Sequence, residues 1–423
     1  MVMRNLALVV LALAPACKWT DFDDLRDEAW VHASEKPNND STNWGVAIAR
    51  GARSTEGGKL AVVGTAESVY NEIEYRPNGD AKLAANELEL NAQFGIGNLE
   101  PQPIFLADPV TDDVALITKS GASQVVVLRG TSGDMTPHQV FGAESADAAT
   151  FLVAPGIDGG TSPQPSQPLI ASLNVVFGTF YTPPEQPFIQ PRCELRDGGN
   201  ALAVRGMAGY RFTNMSPTED VAIWESAGAV YVISGQVFNG ARSGIVCPDP
   251  SPADTDNTGV LAPAGILAGP LDVGFMPGIG SQVLTFGDRY AILQGHNETA
   301  GFLALVDLET MTLVGAPHTE PGLKTAALFE SNGQVFVLAG YPTAIVDGVS
   351  AGQVLVYAVD PATGIGATPL ETLHDAQAEE GQAYGRGVTA MPYNGKTVIA
   401  VSGNNEVFVY YRTNLYAETR TGR

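Results

Sequence analysis

Apolar and β-branched residues fall along this chain in short runs bounded by glycine, asparagine, aspartate or proline, and no long stretch keeps the spacing of an amphipathic helix. Six of these runs directly follow a tight-turn pair. Residues 60–63 follow Gly57-Gly58, 114–117 follow Asp112-Asp113, and 230–233 follow Ala227-Gly228. Residues 290–293 follow Gly287-Asp288, 335–338 follow Asn332-Gly333, and 397–401 follow Asn394-Gly395. Such pairs supply the positive φ angles of a two-residue hairpin, so each is read as a strand turning back on its predecessor. The last long stretch is the fullest example, with 387–391, 397–401 and 407–411 as three successive strands.

The turn pairs recur at intervals of roughly 45 to 62 residues, with one interval about twice that between Asp113 and Ala227. Strand-forming residues 169–177, behind the Pro-rich stretch 162–168, fill that gap with a repeat that has lost its tight turn. Seven repeats of about 56 residues result, each large enough for four short antiparallel strands. Third strands are legible at 302–306 and 354–359, and each runs into the same turn chemistry, Asp307-Leu-Glu-Thr310 and Asp360-Pro-Ala-Thr-Gly364. Val354, Leu355, Val356 and Tyr357 are apolar on both alternating faces, as a strand covered on each side by a neighbouring sheet must be. Two β-sandwiches would account for the strands but not for the common spacing. The predicted fold is therefore all-β, a seven-bladed β-propeller of four-stranded antiparallel blades over residues 44–413, with a tail at 414–423. Long Pro- and Gly-rich loops are expected at 181–200 and 239–280.

The 423 residues carry 46 acidic and 23 basic side chains, a formal net charge of -23. That balance disfavours a phosphate-tracking surface, so nucleic acid is not an expected partner. At the N-terminus, Arg4 precedes an apolar run too short to span a bilayer, so residues 1–16 are read as a secretory signal peptide. Leu13-Ala-Pro-Ala-Cys17 resembles the lipobox of bacterial lipoproteins, although Ala14 stands where leucine is usual and Ala14-Pro-Ala16 also has the form of an ordinary cleavage site. The resemblance implies lipid on Cys17, attachment to the membrane through it, and an outer-membrane or cell-surface location. Residues 17–43 then read as an acidic tether, interrupted by Trp30-Val31, which either docks on the body or stays an exposed aromatic. The two remaining cysteines, Cys193 and Cys247, are one to each long loop. An even pair in an exported chain, with no third sulfur or nearby histidine, is expected to form a disulfide.

At Trp44-Gly-Val-Ala-Ile-Ala49 the sequence resembles the FG-GAP repeat of the integrin α-chain propeller and its bacterial lipoprotein relatives. Phe94-Gly95 and Tyr384-Gly385 echo the opening of that repeat, Val63-Gly-Thr-Ala66 and Ala339-Gly-Tyr-Pro342 its middle, and Gly352-Gln-Val-Leu-Val-Tyr357 its closing strand. The family's calcium loop, Asp-x-Asp-x-Asp-Gly-x-x-Asp, is nowhere complete. Asp254 and Asp256 come nearest and stand as candidate calcium ligands, with Thr258 and Ala262 at carboxylate positions. No other cofactor is expected. The Asp360–Gly364 turn also resembles quinoprotein-like propellers, whose blades end in a docking tryptophan; here only Trp224 lies deep within the repeats.

Catalytic patterns are scarce. His32, His138, His296, His318 and His374 are scattered singly, and His296, in Gly295-His-Asn-Glu298 after an inner strand, is the one of interest. There is no complete phosphate-binding Gly-x-x-x-x-Gly-Lys-Ser/Thr loop, while Gly385-Arg-Gly-Val-Thr-Ala390 opens a strand rather than the helix a dinucleotide fingerprint needs. The sequence thus points to a non-enzymatic, lipid-anchored envelope propeller that acts as a binding or adhesion scaffold for a protein or glycan, with binding expected on the long loops. The alternatives are a structural component of an outer-membrane complex and a propeller hydrolase or lyase acting on an extracellular polymer.

Overall fold

The computed structural model describes the ten strands between Trp30 and Phe141 individually, then residues 146–152, 167–178, 192–210, 220–235, 258–260, 265–331, 333–375, 378–393, 396–404 and 407–412. These residues form seven sheets of four or five strands and two two-stranded ribbons. Along the chain, the first sheet comprises Ala47–Arg50, Gly58–Gly64, Val69–Tyr75 and Ala81–Leu83, with Leu88–Glu89 also on its third strand. The second comprises Ile104–Ala107, Val114–Ser120, Gln124–Gly130 and Thr136–Phe141. The third runs Ala148–Leu152, Gln167–Ser172, Val175–Gly178 and Arg192–Glu194, and the fourth Val204–Tyr210, Asp220–Glu225, Ala229–Ile233 and Ile266–Asp272. The fifth is Gln282–Phe286, Tyr290–His296, Gly301–Asp307 and Thr312–Glu320. The sixth is Thr325–Ser331, Gln334–Tyr341 and Gln353–Asp360, edged by Gly364–Ile365 and Glu371–Leu373. The seventh opens with Gly387–Tyr393, Lys396–Ser402 and Val407–Arg412.

Its fourth strand comes from the other end of the chain. Trp30–Ala33 pairs antiparallel with Val407–Arg412, Trp30 opposite Tyr410 and Ala33 opposite Val407. Regular structure therefore begins ahead of Trp44, and residues 17–43 are not a tether throughout. Successive first strands are in contact from the first sheet to the seventh, and the first strand of the seventh touches that of the first.

The tight turns fall where the spacing placed them, between first and second strands, in five cases. Ala227-Gly228 differs: it joins the second and third strands of the fourth sheet. The first-to-second connection there is residues 211–219, which lack a tight-turn pair and lie outside the described residues. The third sheet joins its first two strands through 153–166, a stretch that contains Asp158-Gly159-Gly160, so the repeat in the doubled interval has a turn pair after all, inside a longer connection. The stretches read as long loops contain strands: Arg192–Glu194 and Ile266–Asp272 are fourth strands, and Thr258–Val260 adds a fifth strand, parallel to Arg192–Glu194, to the third sheet.

Sheet-to-sheet packing explains the two-faced apolar strands. Every residue of Asp220–Glu225 and of Gly301–Asp307 is buried. Val221 and Ile223 pack with residues of the third sheet, while Ala222 and Trp224 pack with Ala291, Leu293 and Phe302 of the fifth. The same alternation on the fifth sheet turns Ile292, Leu303 and Leu305 toward Ala326, Val337 and Tyr357 of the sixth. A sheet buried on both faces excludes water from its whole ladder, and each fully buried aliphatic side chain contributes about 1.5 to 3 kcal/mol.

The Asp turns act as the sequence suggests. Asp307 Oδ1 accepts from the Glu309 and Thr310 amides, and Asp360 accepts from the Ala362 amide and the Thr363 hydroxyl. The FG-GAP-like segments of the last two repeats meet: Gly352 bridges Tyr384, and a Cβ on Gly340 would stand 2.2 Å from the Gly385 carbonyl oxygen. Glycine is required there because two backbones touch.

Candidate functional site

Antiparallel strands fix where the connections lie. First-to-second and third-to-fourth connections share one end of the stack, here the hairpin end; second-to-third connections and the links between sheets share the other, the link end. At the link end, five segments from the fourth to the seventh sheet touch in sequence. In segment 273–281 the Gly278 amide donates to the His296 carbonyl oxygen (2.8 Å), which places it against the turn 297–300. Link 321–324 follows, with the Lys324 amide donating to the Gly340 carbonyl and a Cβ on Gly322 falling 3.3 Å from Thr343 Oγ1. Segment 342–352 carries the ribbon Ile345–Val346 and Val349–Ser350, and the Ser350 amide donates to Glu380 Oε2 at 2.8 Å. Segment 374–386 is held in turn by Asn404, which donates to the Gly381 carbonyl (2.6 Å) and accepts from Arg386 (2.8 Å).

This stitched surface exposes large apolar side chains: Met276 at 66%, Ile279 at 50% and Ile345 at 75% of full accessibility. On the same segments Glu298, Asp347, Glu379 and Glu380 are exposed, whereas Lys324 and Arg386 are half-buried. Exposed large apolar side chains together with carboxylates at one end of the stack are surface chemistry that suits a protein contact.

Beneath it, the face of the fifth sheet toward the sixth departs from the apolar rule. Gln282, Gln294, Leu303 and His318 make one cross-strand row; His296, Gly301 and Glu320 make the next. Leu323 fills the space over Gly301, where a Cβ would stand 2.3 Å from its own, and divides the polar groups in two. On the outer side, the Tyr341 hydroxyl donates to Glu320 at 2.8 Å, and the His318 ring lies edge-on to Tyr357 at 5.1 Å. Burial, then the bond to Glu320, raises the Tyr341 phenol far above its ordinary value.

On the inner side, Gln282 Oε1 accepts from the Ala326 amide at 3.1 Å. Gln294, fully buried, has no partner for Nε2 or Oε1, and His296 none for Nδ1. Burial first, and the charge of Lys324 second, hold His296 down to about 4, so the ring is neutral at pH 7.

Of the residues singled out from sequence, Cys17, Cys247, Asp254 and Asp256 lie outside the described residues. Cys193 sits on Arg192–Glu194, buried among Leu195, Leu202 and Val204, and is disulfide-bonded. His32 and His138 lie on strands, and the His374 ring nitrogen Nδ1 is 3.0 Å from the Asp375 carbonyl oxygen. Among the described residues, no group of three His, Cys, Asp or Glu is placed to hold a metal ion. Of the long loops on which binding was expected, 181–191 and 239–257 lie outside the described residues; the described part of 239–280 that reaches the link end is 273–280. Gln294 was missed in the sequence, although Ile292, Gln294 and His296 share one face of a strand, and two polar residues in such a series were the available signal.

No family model matches the chain, and no curated protein matches it. Among solved structures it is similar to a chain of the crystal structure of BBS1N in complex with ARL6DN, with a TM-score of 0.53 at 9% identity, over 92% of this chain and 99% of that one. It is also similar to a chain of the mitotic checkpoint complex, with a TM-score of 0.46 at 9% identity, over 90% and 97%. At such identity the first likeness speaks for the fold alone: an all-β, propeller-like arrangement of antiparallel sheets.

Proposed function

We propose that this protein is a non-enzymatic propeller of the cell envelope, anchored by lipid on Cys17, that binds a protein partner through its link end. The observation that carries the binding reading is that Met276, Ile279 and Ile345 are all exposed on link-end segments that hydrogen bonds join in sequence, alongside exposed carboxylates. The contacts between successive first strands support closure of the seven sheets as seven blades. The signal-like segment and lipobox-like Leu13-Ala-Pro-Ala-Cys17 support the anchor, and the echoes at Trp44 and Gly352 support an FG-GAP ancestry. A bridge from Cys193 to Cys247 is supported by the pairing of Arg192–Glu194 with Thr258–Val260, which brings the chain just beyond Cys247 back to Cys193; finding both thiols free on alkylation would refute it.

Trp30–Ala33 runs from the hairpin end to the link end, which supports an orientation with the hairpin end toward the bilayer and the link end away from it. The test uses a photo-crosslinking residue at position 279 or 345 and, as control, at Leu267 on an outer strand of the fourth sheet. Crosslinks to one defined envelope protein at 279 and 345, abolished by Ile345→Asp with melting temperature unchanged, are the expected result. Equal crosslinking at position 267, or none at the link end, rejects this reading.

A further inference from the structure

The interface between the fifth and sixth sheets contains two polar compartments, of which one is internally satisfied and the other is not. Outside Leu323, Glu320 and Tyr341 pair with each other, and His318 finds Tyr357 and the Ile365 carbonyl. Inside it, Gln294 Nε2, Gln294 Oε1 and His296 Nδ1 are buried without a hydrogen-bond partner. A buried amide whose donor and acceptor are both unmade is costly, and such groups are seldom left so. Gln282, opposite Gln294 on the neighbouring strand, has its Oε1 engaged by the Ala326 amide, and the Lys324 amide donates to the Gly340 carbonyl.

We propose that this inner compartment is a binding site for a small neutral guest that both donates and accepts hydrogen bonds, held between Gln294 and His296. The amide states the chemistry required. Nε2 needs an acceptor and Oε1 a donor, so the guest presents both, as water, a hydroxyl or a carboxamide does. The neutral imidazole adds one further donor or acceptor at Nδ1. The cation of Lys324 already disfavours a second positive charge, which excludes ammonium-like guests. The compartment lies on the first two strands of its sheet, just under segment 273–281, where Gly280 leaves only the His296 ring within 4 Å of a would-be Cβ. That glycine-lined cover, rather than the blocked side at Leu323, is the route by which a guest exchanges.

Two sources share this chemistry, solvent water and a small organic solute, and the experiment separates them. The whole purified chain is analysed by high-resolution crystallography and by native mass spectrometry. Density within hydrogen-bond distance of both Gln294 side-chain atoms, with no mass excess, identifies water; density with a defined mass excess identifies a solute. A compartment empty of density overturns the proposal. Gln294→Leu gives a second readout that does not depend on crystals. If a guest is bound, the substitution strands it and Tm falls by about 2 to 6 °C, whereas an empty site gains by losing an unpaired amide and Tm stays level or rises. Gln294→Glu, which keeps the size but removes the donor pair at neutral pH, should also lower Tm; an unchanged Tm there counts against a guest at Nε2.

Discussion

Gly295 lies directly on the indole of Trp224: a Cβ at position 295 would stand 2.4 Å from Trp224 Cη2 and 3.0 Å from the Phe275 ring. The missing side chain of one sheet is the space occupied by the largest buried side chain of the next, and Phe275 and Phe302, stacked at 4.7 Å, complete the group.

Gly295→Ala should therefore overpack this interface. The expected loss is about 1 to 3 kcal/mol, read as a lower urea midpoint with unchanged slope. Pairing it with Trp224→Phe, which withdraws the offending ring edge, should recover part of the loss. If the alanine variant alone is as stable as the wild type, the close contact is not native.

Asp307 is held down to about 2, first by the Arg289 guanidinium, which contacts it from Nε at 2.9 Å, and also by Thr310 and the Glu309 amide. Its folded value lies below the ordinary 3.8, so the stability it contributes is present above about pH 4 and is lost as pH falls through about 2. Arg289 is 40% exposed, so solvent screening keeps the pair's contribution small. In Asp307→Asn, the drop in unfolding free energy between pH 4 and 2 should be shallower than in the wild type. Parallel curves would show that the turn tolerates a neutral side chain.

His296 titrates in the opposite chemical sense with the same sign of linkage. Held down to about 4 from 6.5, it stays neutral in the folded chain while the unfolded chain takes up its proton, so stability falls as pH drops from about 6.5 to 4 and levels off below. The ring is partly exposed, which limits the effect to about 1 to 2 kcal/mol. His296→Asn should flatten that segment of the profile. A histidine proton resonance that titrates near 6.5 in the native protein would contradict the burial that causes the shift.

Deleting residues 1–33 removes the strand that covers Val407–Arg412 and leaves an open edge rich in Val407, Phe408 and Val409. Open apolar edges pair with other chains. The truncated protein should associate at concentrations where a chain lacking only residues 1–16 stays monomeric, as seen by light scattering, and should melt at a lower temperature. Identical behaviour of the two would mean the strand adds nothing to the seventh sheet.

How much of this was legible depends on the distance over which each signal acts. Asn332-Gly333 marks a hairpin because turn chemistry is local, and Ser331 opposite Gln334 is the result. Ala227-Gly228 carries the same chemistry yet joins a different pair of strands, since composition says where the chain reverses and not which strands it joins. Thr258–Val260 was invisible and Trp30–Ala33 showed only as an aromatic that either docks or stays exposed, since each is three or four residues long and the strand that orders it is remote in sequence. That Met276, Ile279 and Ile345 are exposed on link-end segments follows from the stacking of sheets, which the sequence alone does not show. Gln294 looked like any polar residue in a strand, because burial on both faces is a property of the neighbours.

The pairing of Trp30–Ala33 with Val407–Arg412 also determines how the molecule bears force. Trp30 and Arg412 leave the ladder at the same, hairpin, end, so tension between the two ends of the chain peels the pairs one after another, from Trp30–Tyr410 to Ala33–Val407. Four residue pairs yield in turn, and their loss frees one outer strand while the other three strands of the seventh sheet keep their hydrogen bonds to one another. The junction is in effect a mechanical fuse: tension between the two ends of the chain is spent on a single peripheral ladder before it reaches the sheets that carry Trp224 and the link-end surface.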